Sequence, residues 1–530
     1  MATNHVDGGG LTAEKERLKQ YKNTAKHEVD MRRRRTECSV EIRKQKREDA
    51  LMKRRNIACD DIESESCTED ESTKQPTAGQ TSLKPLPIPE IITILQNNPS
   101  IDQLRVAFEA IRRLLSRSRN APVDEVIQSG LIDALVQALY VEDEKVRFEA
   151  AWGLTNIVSG TSEQTMAVVN KGAVAPLVAL CKSPTSRVAE QACWAIANIA
   201  GENPDTRNLV LEAGILDAVE PLFNKLDELN VEFVRTLAWL HSNLCRHKSP
   251  AVELNVLRVI ASRLRKCLVH NDATVRQDSC WALGYLTDGS DDQVNVALET
   301  DCFQPAVELL KSSKDAEVAP ALRVVGNFAA GSDVLTQVVV DNGILDVIRL
   351  LMERTRSQII LKESCWVLSN VIAGTREQIN AVIKAKLISS IVNVLETGDT
   401  RSKIEASWAF ANLSQGGTTR QILCLAEREY IKVFCAVLVP SNHADLLINI
   451  LETLFFLLTT LSNQKSNKMS LATACEYIEE FEGLEKLENL QQHANEKVYE
   501  VSYKIVEHFF SNEDGNEEKV NMSADGHFEF

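Results

Sequence analysis

The sequence predicts an all-α solenoid of stacked helical repeats, and three observations carry that reading. Tryptophan occurs at Trp152, Trp194, Trp239, Trp281, Trp366 and Trp408, so successive spacings are 42, 45, 42, 85 and 42 residues. The 85 is two periods, with Arg323 in the missing place, 42 residues after Trp281 and 43 before Trp366. Glycine keeps the same beat: Gly130, Gly172 and Gly214 lie 42 apart, in GLIDAL, GAVAPL and GILDAV. The third observation is an apolar stripe at helical period inside each unit. A repeat of this length, built from helix formers and punctuated by Gly and Pro, is the signature of armadillo or HEAT arrays.

The segments follow in chain order. Residues 1–59 form a basic arm: within 11–59 there are 16 Lys/Arg and 8 Asp/Glu, a net of +8, so the whole-chain charge of -16 leaves -24 elsewhere. Such a charged run, with few helix breakers, reads as disordered or weakly helical. Residues 60–89 read as a linker, opening with seven acids and no Lys or Arg over 60–71 and continuing Pro-rich to Pro89. Residues 90–511 are the repeat body, and 512–530 an acidic, disordered tail.

Each unit reads as two or three helices, of which the last is the best marked. In AAWGLTNIVSG (Ala150–Gly160), a rotation of about 100° per residue puts Asn156 some ~40° from Trp152. Leu154, Ile157 and Val158 then fall at about 200°, 140° and 240°. QACWAIANIAG (Gln191–Gly201) gives the same map. The Trp–Asn pair therefore lies opposite the stripe that packs into the core. A lone tryptophan is ordinarily core. Here W-x-x-x-N recurs as Trp152/Asn156, Trp194/Asn198, Trp239/Asn243, Trp366/Asn370 and Trp408/Asn412. Stacking would align these pairs into a ladder along one exposed surface.

The residue types define that surface's chemistry. An Asn amide can pair with both the N–H and the C=O of an extended peptide. Neighbouring indoles form slots for long aliphatic stems and attract a passing cation. Glu202, Asp288, Glu363 and Glu405 stand near the ladder to meet the cationic heads. The expected ligand is an extended Lys/Arg-rich peptide. Two units break the pattern, one with Tyr285 in place of Asn and the next with Arg323 and Asn327, which splits the ladder into Trp152–Asn243 and Arg323–Asn412. A basic run alone suits a solvated or nucleic-acid-binding tail. Lys53-Arg54-Arg55, however, is itself the kind of peptide the ladder should bind. On its tether it would compete with ligand at an effective concentration around mM.

Other classes find little support. The start MATNHVDGGG has no apolar region of a secretory signal, and no run of 18 uninterrupted apolar residues occurs. We expect a soluble, intracellular protein. The 13 cysteines are scattered without a C-x-x-C and read as buried, reduced thiols. No phosphate loop, H-E-x-x-H or G-x-S-x-G is present, and the nine histidines are dispersed. The reading is non-enzymatic, without metal or cofactor.

Together these features resemble importin-α, the adaptor family that carries cargo bearing nuclear localisation signals. In the arm, RLKQYKNTAKHEVDMRRRRTECSVEIRKQK is similar to the family's importin-β-binding segment, departing at Ala25 and His27, where Gly and Asp are expected. In the body, FEAAWGLTNIVSGTSEQT, QACWAIANIAGE, PALRVVGNFAAG and EASWAFANLSQGG are similar to successive family repeats. The resemblance implies a right-handed superhelical armadillo solenoid of about ten repeats, with Arg32, Arg33, Arg34 and Arg35 in the importin-β-binding segment. It implies a major signal site at Trp152, Asn156, Gln191, Trp194, Asn198, Trp239 and Asn243, with Ser159, Gly160 and Thr165 around the main lysine pocket and Glu202 where Asp is usual. The implied minor site holds Arg323, Asn327, Glu363, Trp366, Asn370, Glu405, Trp408 and Asn412, and Tyr285 and Asp288 match the intervening repeat. Lys53, Arg54 and Arg55 become the autoinhibitory segment. The implied partners are importin-β, basic cargo peptides and an export receptor, with no membrane and no direct nucleic acid, in a protein shuttling between cytoplasm and nucleus. The alternative is an armadillo signalling or adhesion scaffold similar to β-catenin; that fold typically presents a basic groove, whereas this body is acidic.

Overall fold

The computed structural model describes residues 53–54, 86–463 and 469–511, and every regular element among them is helical. The repeat is a three-helix unit. A short helix, Ser162–Asn170, leads through Gly172 into Val174–Leu180 and then into the long helix Ser186–Glu202. Gly172 has φ 76°, and Gly130, Gly214 and Gly343 make the same turn at 78°, 81° and 67°. In that left-handed region a Cβ crowds the following carbonyl, which is why glycine recurs there. Three further units force Asp301, Lys386 and Glu482 into the turn at φ 54°, 58° and 58°. The geometry is therefore kept even where the glycine beat breaks.

The long third helices carry the ladder and are numbered here in chain order. They are α1 (Ile101–Leu115), α2 (Glu144–Val158), α3 (Ser186–Glu202), α4 (Val231–Arg246), α5 (Ala273–Leu286), α6 (Asp315–Ala330), α7 (Gln358–Ile372), α8 (Thr400–Gly416), α9 (Ala444–Ser462) and α10 (Glu496–Phe509). Asp143, Asp272 and Asp399 cap α2, α5 and α8, accepting from first-turn N–H groups that have no partner within the helix. The short first helices start at capping boxes, Thr161/Gln164, Ser290/Gln293, Thr375/Gln378 and Thr418/Gln421.

The described residues form two compact units, one up to Ala306 and one from Val307. In the first, α1 packs on α2, α2 on α3, α3 on α4 and α4 on α5; in the second, α6 through α10 pack in the same succession. The stripe read from the sequence is the core: Leu154, Ile157 and Val158 of α2, and Ile196, Ile199 and Ala200 of α3, are fully buried. Each such Leu or Ile contributes roughly 1.5–3 kcal/mol by leaving water. Helix α9 is long and apolar enough by composition to cross a membrane, but it is mostly buried and packs between α8 and α10. The ten described cysteines are free thiols and eight are buried, with burial raising Cys245 and Cys267 to about 12.

Candidate peptide-binding groove

The asparagines of the ladder do not stand on an exposed surface, as the helical wheel suggested. Asn156, Asn198, Asn243, Asn327, Asn370 and Asn412 are all buried, as are the indoles of Trp239 and Trp366. The physical reason lies in the side-by-side packing of the long helices. A residue one turn beyond the indole falls into the seam with the preceding helix. There Nδ2 of Asn243 donates to the Ala197 carbonyl at 2.8 Å, and Nδ2 of Asn412 donates to Ser369 at 2.7 Å. Nδ2 of Asn156 reaches the Ser116 hydroxyl at 3.0 Å. Gln191 is a seam residue too, donating to Thr155 Oγ1 at 2.8 Å. Asn156, Asn243, Asn412 and Gln191 thus each spend an amide N–H on a seam between neighbouring long helices.

In the first unit the groove holds Lys53 and Arg54. The Arg54 main chain is gripped by α3: its N–H donates to Asn198 Oδ1 at 2.8 Å, and its C=O accepts from Trp194 Nε1 at 2.8 Å and Asn198 Nδ2 at 3.0 Å. The Lys53 ammonium donates to the Gly160 carbonyl at 2.9 Å and Thr165 Oγ1 at 2.8 Å, and it pairs with Glu202. A Cβ on Gly160 would overlap the side-chain oxygen of Gln164, so the capping box behind it shapes this pocket. Burial pushes Glu202 up, but the hydrogen bond and charge of Lys53, with Ser162 and Thr165, hold its carboxyl below the usual range. Ser159, expected beside the lysine, instead turns its hydroxyl back onto the Asn156 carbonyl at 2.8 Å.

The Arg54 side chain reaches a carboxylate that the sequence reading missed. Its Nη2 lies 2.8 Å from Asp278 Oδ2, and its guanidinium lies over the Trp239 ring at 4.6 Å. Trp281, Tyr285, Ser242 and Arg246 complete this concavity. Burial holds the Asp278 carboxyl above its ordinary value, with Arg54 pulling it down. A signal for it existed: Asp278 stands three residues before Trp281, the register of Gln191 before Trp194 and of Glu363 before Trp366. The sequence reading also missed Arg112. It stands 4.6 Å over the Trp152 ring, and its Nε donates to buried Glu149 at 2.8 Å.

The implied intervening residues belong to the first unit. Tyr285 stacks on Trp281, with ring centroids 6.0 Å apart, and Asp288 is paired by Lys248 at 2.6 Å. The remaining minor-site residues lie in the second unit. Arg323 is buried with its guanidinium 5.5 Å over the Trp366 ring, and Glu363 lies 3.3 Å from its neighbour Lys362. Asn327 and Glu405 are buried and Trp408 is half-buried. The fully buried Asn370 has no hydrogen-bond partner for either amide atom among the described residues. Arg32, Arg33, Arg34, Arg35 and Arg55 lie outside the described residues.

Comparison with known proteins covers both the arm and the body. The Importin beta binding domain matches residues 17–107, the Armadillo/beta-catenin-like repeat residues 119–159 and 161–201, and the Atypical Arm repeat residues 473–524. The Importin subunit alpha-2 of Caenorhabditis elegans is 47% identical over 509 residues, spanning 96% of this chain and 95% of the relative. The Importin subunit alpha-1a of Oryza sativa subsp. japonica is 37% identical over 505 residues, spanning 94% and 93%. Among solved structures, an engineered protein of the Northeast Structural Genomics Consortium superposes with a TM-score of 0.68 over 80% of this chain and 98% of its own. Its identity of 24% makes that a likeness of fold alone. With the arm, the repeats and near full-length relatives in agreement, this chain belongs to the importin-α family.

Proposed function

We propose that this nuclear import adaptor binds Lys/Arg-rich localisation signals in the groove of its first unit, at the place its own Lys53 and Arg54 occupy. The adaptor role follows from family membership and from the match to the Importin beta binding domain. One observation carries the groove reading. A two-residue basic segment has its main chain held by Asn198 and Trp194, its ammonium in the Gly160, Thr165 and Glu202 pocket and its guanidinium on Trp239 and Asp278. Nothing in these contacts reads a sequence-specific feature of the arm; any Lys-Arg pair in an extended main chain meets the same groups. The segment is therefore an internal competitor, and importin-β, by engaging the arm around Arg32–Arg35, removes it.

Buried Asn370, with its unmet hydrogen-bonding capacity, supports a second basic-peptide tract in the other unit, at Arg323, Asn327, Glu363, Trp366, Glu405, Trp408 and Asn412. The groove binds and does not react, so we assign the protein no catalytic step, no cofactor and no metal. Shuttling between cytoplasm and nucleus, and recycling by an export receptor, rest on the family alone. Titrating a labelled Lys-rich peptide into the full chain, with and without importin-β, tests the mechanism. Tighter peptide binding with importin-β is expected, and charge reversal of Arg32–Arg35 should abolish the gain. An affinity indifferent to importin-β would exclude the competition.

A further inference from the structure

We infer that Lys248 is a resident cation that fills the Asp288 slot of the Trp281 unit and makes that slot, as distinct from the Asp278 site that takes Arg54, reject a basic ligand residue. This rests on the groove reading above. The slot is defined by Asp288, whose side chain is 4% exposed, and Lys248 Nζ lies 2.6 Å from its Oδ1. That approach is at ion-pair distance but is not aligned as a hydrogen bond, and Oδ1 has no aligned donor. The pair neutralises a buried carboxylate that would otherwise draw a ligand cation.

Lys248 is held in place by its flanks. It lies in the loop between α4 and the helix Leu254–Cys267. Arg207, fully buried, donates from Nη1 to the His247 carbonyl at 2.9 Å and from Nη2 to the Pro250 carbonyl at 2.7 Å. These two bonds pin the loop on both sides of Lys248 from beneath the surface. The main chain that carries Lys248 is thus anchored to the scaffold.

The Trp281 unit also lacks the hydroxyl and the amide that hold Lys53 and Arg54 in earlier units. Counting from the tryptophan, Gly289 stands where Gly160 does, but Val294 replaces Thr165, so the accepting hydroxyl is gone. Tyr285 replaces the Asn that grips a ligand main chain. Beside Asp288 the Gly289 carbonyl remains as an acceptor, but the carboxylate that would draw an ammonium there is already paired with the protein's own lysine. Lys248 is a specificity-determining residue: at the Asp288 slot the groove takes an uncharged or acidic side chain, because a second cation there would be repelled by Lys248.

The test is a lysine scan in the full-length chain. Fluorescein-labelled peptides keep one Lys-Arg pair, and each flanking position in turn is Lys or Ala. In the parent no flanking position opposite the Asp288 slot gains from Lys. In Lys248→Met, which keeps the aliphatic stem, and in Lys248→Gln, one such position should favour Lys over Ala by about tenfold. Adding Asp288→Asn to Lys248→Met should return that ratio to about one. The same scan profile in parent and variants, or a gain that survives Asp288→Asn, overturns the inference. Failure of the parent to bind any of the peptides even with importin-β present overturns instead the groove reading beneath it.

Discussion

Asn198 holds Arg54 by the main chain on both sides of its Cα: Oδ1 accepts the Arg54 N–H at 2.8 Å while Nδ2 donates to the Arg54 C=O at 3.0 Å. The same Nδ2 donates to the Thr155 carbonyl across the α2–α3 seam at 3.3 Å. One side chain therefore does what a neighbouring strand does for a strand, and it does so without reading the ligand's side chain.

From this geometry, Asn198→Ala loses both main-chain bonds to a ligand and one seam bond. At about 0.5–1.5 kcal/mol per neutral hydrogen bond, the loss for the ligand is about 1–3 kcal/mol, or roughly 5- to 150-fold in Kd. Fluorescence anisotropy with a Lys-rich peptide measures it. Asn198→Asp should lose a similar amount, because a carboxylate can accept from the N–H but cannot donate to the C=O. An unchanged Kd for both variants would remove Asn198 from ligand binding.

The internal competitor can be weakened in place. In the full chain, Lys53→Ala with Arg54→Ala removes the contacts to Thr165, Gly160, Glu202 and Asp278. Peptide affinity should then rise about tenfold or more, since a tethered competitor acts at around mM effective concentration. Equal Kd values in parent and variant would show that the segment does not compete.

Proton coupling has a definite sign. The Glu202 carboxyl is held below its ordinary value while Lys53 is bound, and Arg54 pulls down the carboxyl of Asp278, which burial raises. A group whose pKa is lower in the bound state supports binding fully above its free-state pKa and loses that support as pH falls from there through its bound-state pKa. Affinity for a basic peptide should therefore be level near neutral pH and fall as the pH drops into the range where these carboxyls take up protons. Asp278→Asn should move the onset of that fall to lower pH, and titrations at matched ionic strength would show the shift.

The left-handed turns give a stability test. Lys386 at φ 58° carries a Cβ in a turn where four other units use glycine. Lys386→Gly should raise stability by up to about 1 kcal/mol and Gly214→Ala should lower it by about 1 kcal/mol. The measurement is the urea midpoint of the full chain. Opposite signs are expected, and equal signs would contradict the turn assignment.

The repeat period, the helical class and the core stripe were legible because one unit's constraint recurs at every repeat: Leu154 and Ile196 are buried for the same reason. The asparagine positions were legible, but their burial was not, because a helical wheel treats one helix and the seam belongs to two. Asp278 was hidden by reading acidic residues near the indoles unit by unit rather than in one register. The Lys248–Asp288 pair lay beyond sequence reasoning, since the loop between them and Arg207 beneath it are related only in the fold.

The shared nitrogen of Asn198 links cohesion to occupancy. A seam bond made by an atom that also grips the ligand is better organised when the ligand is present, because the amide then has one orientation that satisfies both. A filled groove is in that sense a stiffer spring than a vacant one, and the ligand contributes to the elasticity of its own receptor.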